Sequence, residues 1–155
     1  MEMVIGESVK ETNRVFIKDY TEEYCKAITE NYRQYHLDTL NRNLQGNYPE
    51  YAQEQLDEIE NGTANLMRFE IREGRKYYKV VQSEFETWKG SIHYGNYRDS
   101  SVHSFVDKET GEVFKPASWN RPAKHVRYDM RIIKDREFLH NPSNVYWAGG
   151  YLYMR

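Results

Sequence analysis

Residues 115–131 combine lysine, arginine and histidine with aromatic rings, and these residue types can bind a chain of phosphates. Lysine and arginine neutralise phosphate charge, and arginine offers a planar fork of N–H donors that fits phosphate oxygens. Exposed rings let unpaired bases stack, at about 1–3 kcal/mol per base. The candidate residues are Lys115, Trp119, Arg121, Lys124, His125, Arg127 and Arg131. This pattern predicts a binding site for nucleic acid or another phosphate-bearing ligand.

A structural role explains the same segment. In that interpretation Trp119 anchors a hydrophobic core, and the cations only solvate the outer side of a helix. The formal net charge of the chain is −2, whereas a domain dedicated to duplex binding is usually basic. Both interpretations stay open at the level of the sequence.

Residue types that perform catalysis are sparse. The histidines at positions 36, 93, 103, 125 and 140 form no pair with metal-ligand spacing, and Cys25 has no second cysteine to pair with. Cys25 follows Tyr24 on a helix face that we expect to be buried, which favours a small apolar role over a nucleophile. No glycine-rich phosphate loop occurs. The sequence therefore predicts a protein that is not an enzyme and uses no metal or cofactor.

Charge is distributed unevenly along the chain. Residues 1–62 carry 13 acidic and 6 basic side chains, a net charge of −7, and residues 63–155 carry 11 acidic and 16 basic ones, a net charge of +5. Halves of opposite sign indicate separate partners or a homo-oligomer. A second hypothesis is therefore a protein partner that docks on acidic and aromatic side chains. Its candidate residues are Glu50, Glu54, Asp57, Glu58, Tyr146, Trp147 and Tyr151.

Two helices are predicted to precede the basic segment. The first begins at an N-cap, Thr21, and ends near Gly46; its apolar face consists of Tyr24, Ile28, Tyr32, Tyr35 and Leu40. The second has Pro49 in its first turn and stops at Asn61–Gly62. Together they predict a helical hairpin with an acidic outer face.

Strand patterns follow the helices. Met67, Phe69 and Ile71 alternate with charged residues, "KYYKVVQ" is rich in strand formers, and "VHSFVD" and "EVFK" flank a "KETG" turn. A helix from about Pro122 would bury Val126, Met130 and Ile133 and expose the cations. Residues 144–154 are expected to form two short aromatic strands around a Gly–Gly turn.

These elements predict an α+β fold: an N-terminal helical hairpin followed by a small antiparallel β-sheet domain with one short helix. The predicted division is a helical arm at residues 1–62 and a β-rich domain at residues 63–155. No apolar run approaches about eighteen residues and no signal pattern opens the chain. A lone cysteine cannot form an internal disulfide, so the sequence predicts a soluble intracellular protein without a membrane partner.

The stretch "FVDKETGEVFKPASWNRPAK" resembles a motif of small accessory proteins of tailed bacteriophages. The motif has Phe-Val-Asp, a Thr-Gly turn, Lys-Pro-Ala-Ser-Trp and Pro-Ala-Lys, which here begin at Phe105, Thr110, Lys115 and Pro122. The resemblance covers about residues 74 to 131. It implies a phage origin, a small β-rich module and the host cytoplasm as location, and it brings no assigned activity.

Three hypotheses follow for such a phage protein. It could modulate a host or phage nucleic-acid machine through the basic and aromatic segment. It could inhibit a host defence protein through its acidic helices or aromatic tail. It could be a structural component of the virion, with the helical arm reaching to a neighbouring subunit.

Overall fold

The structure of the protein is a computed structural model that describes the backbone of residues 2–154 and the side chains of residues 12–154. It contains two helices, then seven strands, a third helix and a final 3₁₀ turn. The elements are α1 (Glu2–Leu44), α2 (Pro49–Glu60), β1 (Arg68–Glu73), β2 (Tyr77–Phe85), β3 (Tyr97–Asp107), β4 (Glu112–Phe114), β5 (Pro116–Ser118), β6 (Arg121–Pro122), β7 (Tyr128–Asp129), α3 (Ile133–Leu139) and the 3₁₀ turn Gly150–Tyr153. The predicted α+β class is confirmed.

Helix α1 is longer than the sequence predicts. Thr21, expected as its N-cap, is buried in the middle of the helix, and its hydroxyl donates to the Ile17 carbonyl oxygen at 2.7 Å. A threonine hydroxyl makes this bond to the preceding turn when a helix continues through it. The residues before Thr21 contain no proline, so nothing stops the helix there. The predicted start was therefore wrong, and the predicted end near Gly46 is confirmed.

Helix α2 agrees with the sequence in both bounds. Pro49 lies in its first turn, and Gly62 follows its end with a φ of +79°, a conformation that glycine adopts at little cost. Ala52 is fully buried where α2 packs against α1, which forms the predicted helical hairpin.

A five-stranded antiparallel sheet, in the order β1-β2-β3-β4-β7, packs one face against α1. Tyr78, Val80 and Val113 point to that face and share a single hydrophobic core with Tyr24 and Ile28 of α1. The predicted division at residue 62 coincides with the change from helices to strands and stays a prediction. The core itself draws on both sides of that boundary.

The predicted helix from about Pro122 is wrong. Residues 121–130 form two two-residue strands joined by irregular backbone, because they hydrogen-bond to residues before them instead of to one another. Arg127 N donates to Val113 O at 2.7 Å and Met130 N to Gly111 O at 2.8 Å. Helix α3 begins only at Ile133. Of the expected apolar stripe, Met130 is buried while Val126 and Ile133 are exposed.

The chain's last aromatic residues form a 3₁₀ turn instead of the two expected strands. Gly149 has a φ of +85° and reverses the chain, so that Tyr151 and Leu152 enter the core. Burial of these two side chains leaves Tyr153 and Met154 outside.

Candidate nucleic-acid interface

Trp119 lies at the tip of a small hairpin that the sequence did not predict. Strands β5 and β6 pair through Ser118 and Arg121, which leaves Trp119 and Asn120 as a two-residue turn. The Trp119 side chain is 43% exposed, so it is not the core anchor of the structural interpretation. A cleft of about 320 Å³ opens beside it, between residues 100–102 of β3 and residues 116–119.

A lysine from the sheet approaches the exposed indole. Lys79 Nζ lies 4.8 Å from the centroid of the Trp119 ring and 3.5 Å from Asn120 Oδ1. Lys79 belongs to β2, and because Tyr78 and Val80 beside it face the core, its side chain faces away from α1. A cation above an aromatic face is attracted by the ring quadrupole. The hairpin tip and the outer face of the sheet therefore form one surface.

More rings and one more cation continue this surface along the outer face. Tyr77 packs edge-on against Phe105, with centroids 5.8 Å apart, and against Phe114 at 6.1 Å. Lys76 Nζ lies 5.4 Å from the Tyr77 centroid, and Lys79 Nζ lies 5.8 Å from that of Phe105. Phe105 itself is buried, at 2% exposure, beneath these groups. We call the set Lys76, Tyr77, Lys79, Phe114, Trp119 and Arg121 the cation–aromatic strip.

The cations around the hairpin lack acidic partners. Among residues 12–154, no carboxylate oxygen lies within 4.0 Å of the charged groups of Lys79, Lys115, Arg121 or Lys124. Lys115 Nζ instead lies 4.2 Å from the centroid of the Tyr153 ring. Cations held over rings keep their full positive charge, so this region is a positive surface in which the rings of Trp119 and Tyr153 are exposed.

The remaining predicted residues divide between this surface and its surroundings. Arg121, Lys124 and His125 are exposed. Arg127 is half-buried in the segment that leads into β7. Arg131 is bonded to Asp129, with Nη2 3.0 Å from Oδ2, and this hydrogen bond is the main cause that raises its pKa. Arg131 is therefore not one of the cations that lack a carboxylate partner. The reason is that residues 127–131 do not form the exposed helix face that the sequence predicts.

On the far side of the outer face, cations and carboxylates neutralise one another. Arg72 of β1 donates from Nη2 to Asp99 Oδ1 at 2.8 Å and from Nη1 to Glu70 Oε2 at 3.1 Å. The Asp99 bond is the main cause that raises the pKa of Arg72. Arg68 stacks over Tyr97, 3.4 Å from its centroid, and pairs with Glu70. This paired region ends the strip at β1.

Sequence reasoning missed the sheet half of the strip. Lys76, Tyr77 and Lys79 belong to "RKYYKVV", which was interpreted only as a strand. The available signal was the alternation itself: Tyr78 and Val80 suit the core face, so Tyr77 and Lys79 had to share the other face. The nearness of Trp119 had no sequence signal, because it depends on how the hairpin folds over the sheet.

The acidic residues proposed for a protein partner lie on the surface of α2. Glu50, Glu54 and Asp57 are exposed and Glu58 is half-buried; Gln53 Nε2 donates to Asp57 Oδ1 at 2.9 Å. Tyr48 and Tyr51, which were not predicted, are exposed beside them. The helix therefore presents rings together with carboxylates.

The aromatic tail does not form one surface. Tyr146 is exposed, Trp147 is half-buried against Tyr32 with centroids 5.3 Å apart, and Tyr151 is buried with its hydroxyl bonded to that of Tyr24. Tyr151 therefore cannot contact a partner in the folded chain, contrary to its proposed role. The reason is the 3₁₀ turn, which directs this ring inward.

Two groups that could react are buried. Burial raises the pKa of Cys25 to about 12, so its thiol stays protonated at neutral pH and is a poor nucleophile. Burial lowers the pKa of His103 to about 4, although a backbone hydrogen bond from its ring to Tyr146 acts in the opposite direction. In residues 12–154, no three His, Cys, Asp or Glu side chains come together in a group that could hold a metal ion.

Comparison with known proteins gives a family without an assigned role. The chain is an α+β protein with a cation–aromatic strip on the outer face of its sheet, and it belongs to the Family of unknown function (DUF7717), whose model matches residues 1–154. No curated protein matches the chain, and no solved structure matches it. Within the described residues, no helix has the length and apolar character needed to cross a membrane.

Proposed function

We propose that this protein is a non-catalytic phage accessory protein that binds single-stranded nucleic acid through the cation–aromatic strip and thereby modulates a host or phage nucleic-acid machine. The observation that carries the proposal is the exposed Trp119 indole beside Lys79, in a region of cations without carboxylates. The phage origin and the location in the host cytoplasm are supported by the resemblance of residues 105–124 to phage accessory proteins.

A single strand fits the strip better than a duplex does. Stacking on Trp119 needs an unpaired base, and the cleft beside this ring offers space for one. The strip also offers few cations, and the net charge of −2 would disfavour a duplex that is bound only through its backbone. Lys79 and Arg121 flank Trp119 and would contact the phosphates on either side of a stacked base.

The first prediction concerns Trp119 in the binding of a fluorescently labelled, single-stranded oligonucleotide. Because one stacked base contributes about 1–3 kcal/mol, Trp119→Ala should weaken the affinity between about fivefold and about 150-fold. Fluorescence anisotropy at low salt measures this change. Trp88→Ala is the matched control, since Trp88 is also an exposed tryptophan but lies in the β2–β3 loop; its affinity should be unchanged.

Salt dependence gives a second measurement on the same site. Lys79→Glu with Arg121→Glu should flatten the decrease of log affinity with log salt concentration, because fewer counterions are released. Wild-type protein that shows no binding at low salt would contradict the proposal. Equal losses for Trp119→Ala and Trp88→Ala would also contradict it.

A second candidate function is inhibition of a host protein through α2. The observation that favours it is the joint exposure of Tyr48, Tyr51 and the carboxylates of Glu50, Glu54 and Asp57. Tyrosine rings supply contact area, and carboxylates steer a basic partner toward the helix. The occupied surface on the partner would be one that otherwise binds nucleic acid.

The second prediction tests this candidate by charge reversal. Glu50→Lys, Glu54→Lys and Asp57→Lys together should abolish a stoichiometric complex recovered from host lysate, because the surface would then repel a basic partner. Asp38→Lys with Glu137→Lys, which reverses exposed carboxylates outside α2, should leave the complex intact. The candidate fails if no stoichiometric protein is recovered, or if both sets of changes act alike.

A further inference from the structure

The loop between β2 and β3 displays large apolar side chains to solvent. Ile92 is 93% exposed and Trp88 is 69% exposed, and Tyr94, two residues after Ile92, is exposed too. Isolated apolar side chains on a surface are ordinary, but a cluster that contains Trp and Tyr is typical of a contact site. Nothing in the cation–aromatic strip requires this loop.

Backbone hydrogen bonds hold the loop in one shape. Its base is closed by Glu86 N to Asn96 O and by Gly95 N to Glu86 O, both at 3.0 Å, and Tyr94 N donates to Ser91 O at 3.2 Å. The Trp88 indole lies against Gly90, where a Cβ atom would come within 2.6 Å of the ring. An ordered loop loses little conformational entropy on docking, so its apolar contacts contribute fully to affinity.

A groove elsewhere on the chain has complementary character. It lies between α1 and the edge strand β1 and has a volume of about 510 Å³. The half-buried Ile71 lines it together with Cys25 and Phe69, which are 6% and 3% exposed, and its charged lining consists of Glu22, Lys26, Glu30 and Glu70. Arg33 pairs with Glu30 and Arg72 with Glu70, so within residues 12–154 Glu22 is the lining carboxylate without a cation inside 4.0 Å. Lys26 is already bonded to Glu23, with Nζ 3.0 Å from Oε1.

We propose that the β2–β3 loop of one copy of this chain docks into the α1–β1 groove of a second copy. Residues 87–96 contain one lysine, Lys89, and no carboxylate, so the loop brings apolar side chains to the apolar lining and one cation to the Glu22 carboxylate. Ile92 and Trp88 would cover the apolar lining, and the Lys89 ammonium would face Glu22. The exposure of Ile92 excludes docking into the groove of its own chain.

The arrangement has a consequence for stoichiometry. Loop and groove are different patches, so each added copy leaves one of each patch free, and such head-to-tail contacts build rings or open chains instead of a symmetric dimer. A membrane is the less suitable partner for this loop, because docking to an anionic bilayer needs a cluster of basic residues. The loop offers Lys89 alone, and Glu84 and Glu86 lie at its base.

The third prediction is that the protein self-associates through these two patches. In sedimentation velocity without nucleic acid, the average mass of the wild type should rise with concentration, and Ile92→Asp should stay monomeric. Lys89→Glu and Glu22→Lys should each weaken association about five- to tenfold, because an attractive pair of charges becomes repulsive. The two changes combined in one chain should restore association, since the charges are then exchanged.

Two controls keep this outcome separate from the nucleic-acid proposal. Lys124→Glu changes one charge far from the loop in sequence, and Trp119→Ala removes the ring of the strip; neither should alter the association. A wild type that is monomeric at every concentration overturns the proposal, as does association that Ile92→Asp leaves intact. Binding of the wild type, but not of Ile92→Asp, to vesicles of anionic lipid would assign the loop to a membrane and overturn it as well.

Discussion

At the scale of single residues, His103 shows how burial selects one protonation state. It lies at a bulge of β3, where the pairing with β2 shifts between Val80 and Val81. Its Nε2 lies 3.2 Å from the Tyr146 carbonyl oxygen and its Nδ1 lies 3.1 Å from Ser104 Oγ. A neutral ring can donate to the carbonyl from one nitrogen and accept from the hydroxyl at the other, so both are satisfied without a charge.

The fourth prediction follows from the pKa of His103, which burial lowers from 6.5 to about 4. The unfolded chain binds this proton more readily, so the stabilisation is complete above about pH 6.5 and is lost as the pH falls through 4. The loss amounts to about 3 kcal/mol of unfolding free energy at most. Urea unfolding at several pH values should show a shallower pH dependence for His103→Gln than for the wild type.

Comparing the slope of unfolding free energy against pH between the two proteins separates the effect of His103 from that of the carboxylates, which titrate in part of the same pH range. His93→Gln is the matched control, since His93 is exposed in the β2–β3 loop. Identical slopes for the wild type and His103→Gln would show that burial of this ring does not govern stability in acid.

At the scale of elements, the turn between β3 and β4 combines a backbone requirement with a packing requirement. Gly111 has a φ of +74°, which side-chain-bearing residues rarely adopt. A Cβ at this position would also lie 3.2 Å from Met130 Cβ, in the segment that hydrogen-bonds to Gly111 O. The same glycine thus allows the hairpin to turn and lets residues 127–130 lie against it.

The fifth prediction separates these two requirements. Gly62→Ala introduces only backbone strain, because no atom lies within 4 Å of an added Cβ there. It should lower the unfolding free energy by about 1 kcal/mol. Gly111→Ala adds the contact with Met130 and should cost more, about 2–3 kcal/mol in total. Urea unfolding measures both variants. Equal losses of unfolding free energy would show that the segment containing Met130 shifts to accommodate the added Cβ without further loss of stability.

Elements with a strong local signal were predicted from the sequence, and those with a nonlocal cause were not. Helix α2, the alternation in β1 and the turn at Gly111 each follow from the residues inside the element. Residues 122–131 carry a helical spacing of apolar residues, yet they form no helix, because Gly111 and β4 offer backbone groups to which they hydrogen-bond. That competition depends on residues more than ten positions away.

The candidate site divides in the same way. The exposed cations Arg121 and Lys124 and the ring of Trp119 were predicted from residue type alone. The contribution of Lys79 was not, because a strand some forty residues earlier supplies it. The inward position of Tyr151 was also not predicted, since ring content does not reveal which rings the core receives.

At the scale of the whole molecule, one core joins distant parts of the sequence. Tyr24 of α1 is hydrogen-bonded to Tyr151 of the 3₁₀ turn, 127 positions away, and Leu152 is fully buried. Contacts of such separation close late, since the entropy of the intervening loop must be overcome first. Residues of the final 3₁₀ turn thus complete the core that α1 and the sheet form with each other.

This closure has a consequence during synthesis. While a ribosome still holds residues near 150 in its exit tunnel, Tyr24 lacks its hydroxyl partner and the cavity meant for Leu152 stays empty. During this interval α1 has already emerged from the ribosome, but the last residues that pack on its apolar face have not. A chaperone that binds exposed helices on translating ribosomes would bind this chain in that interval.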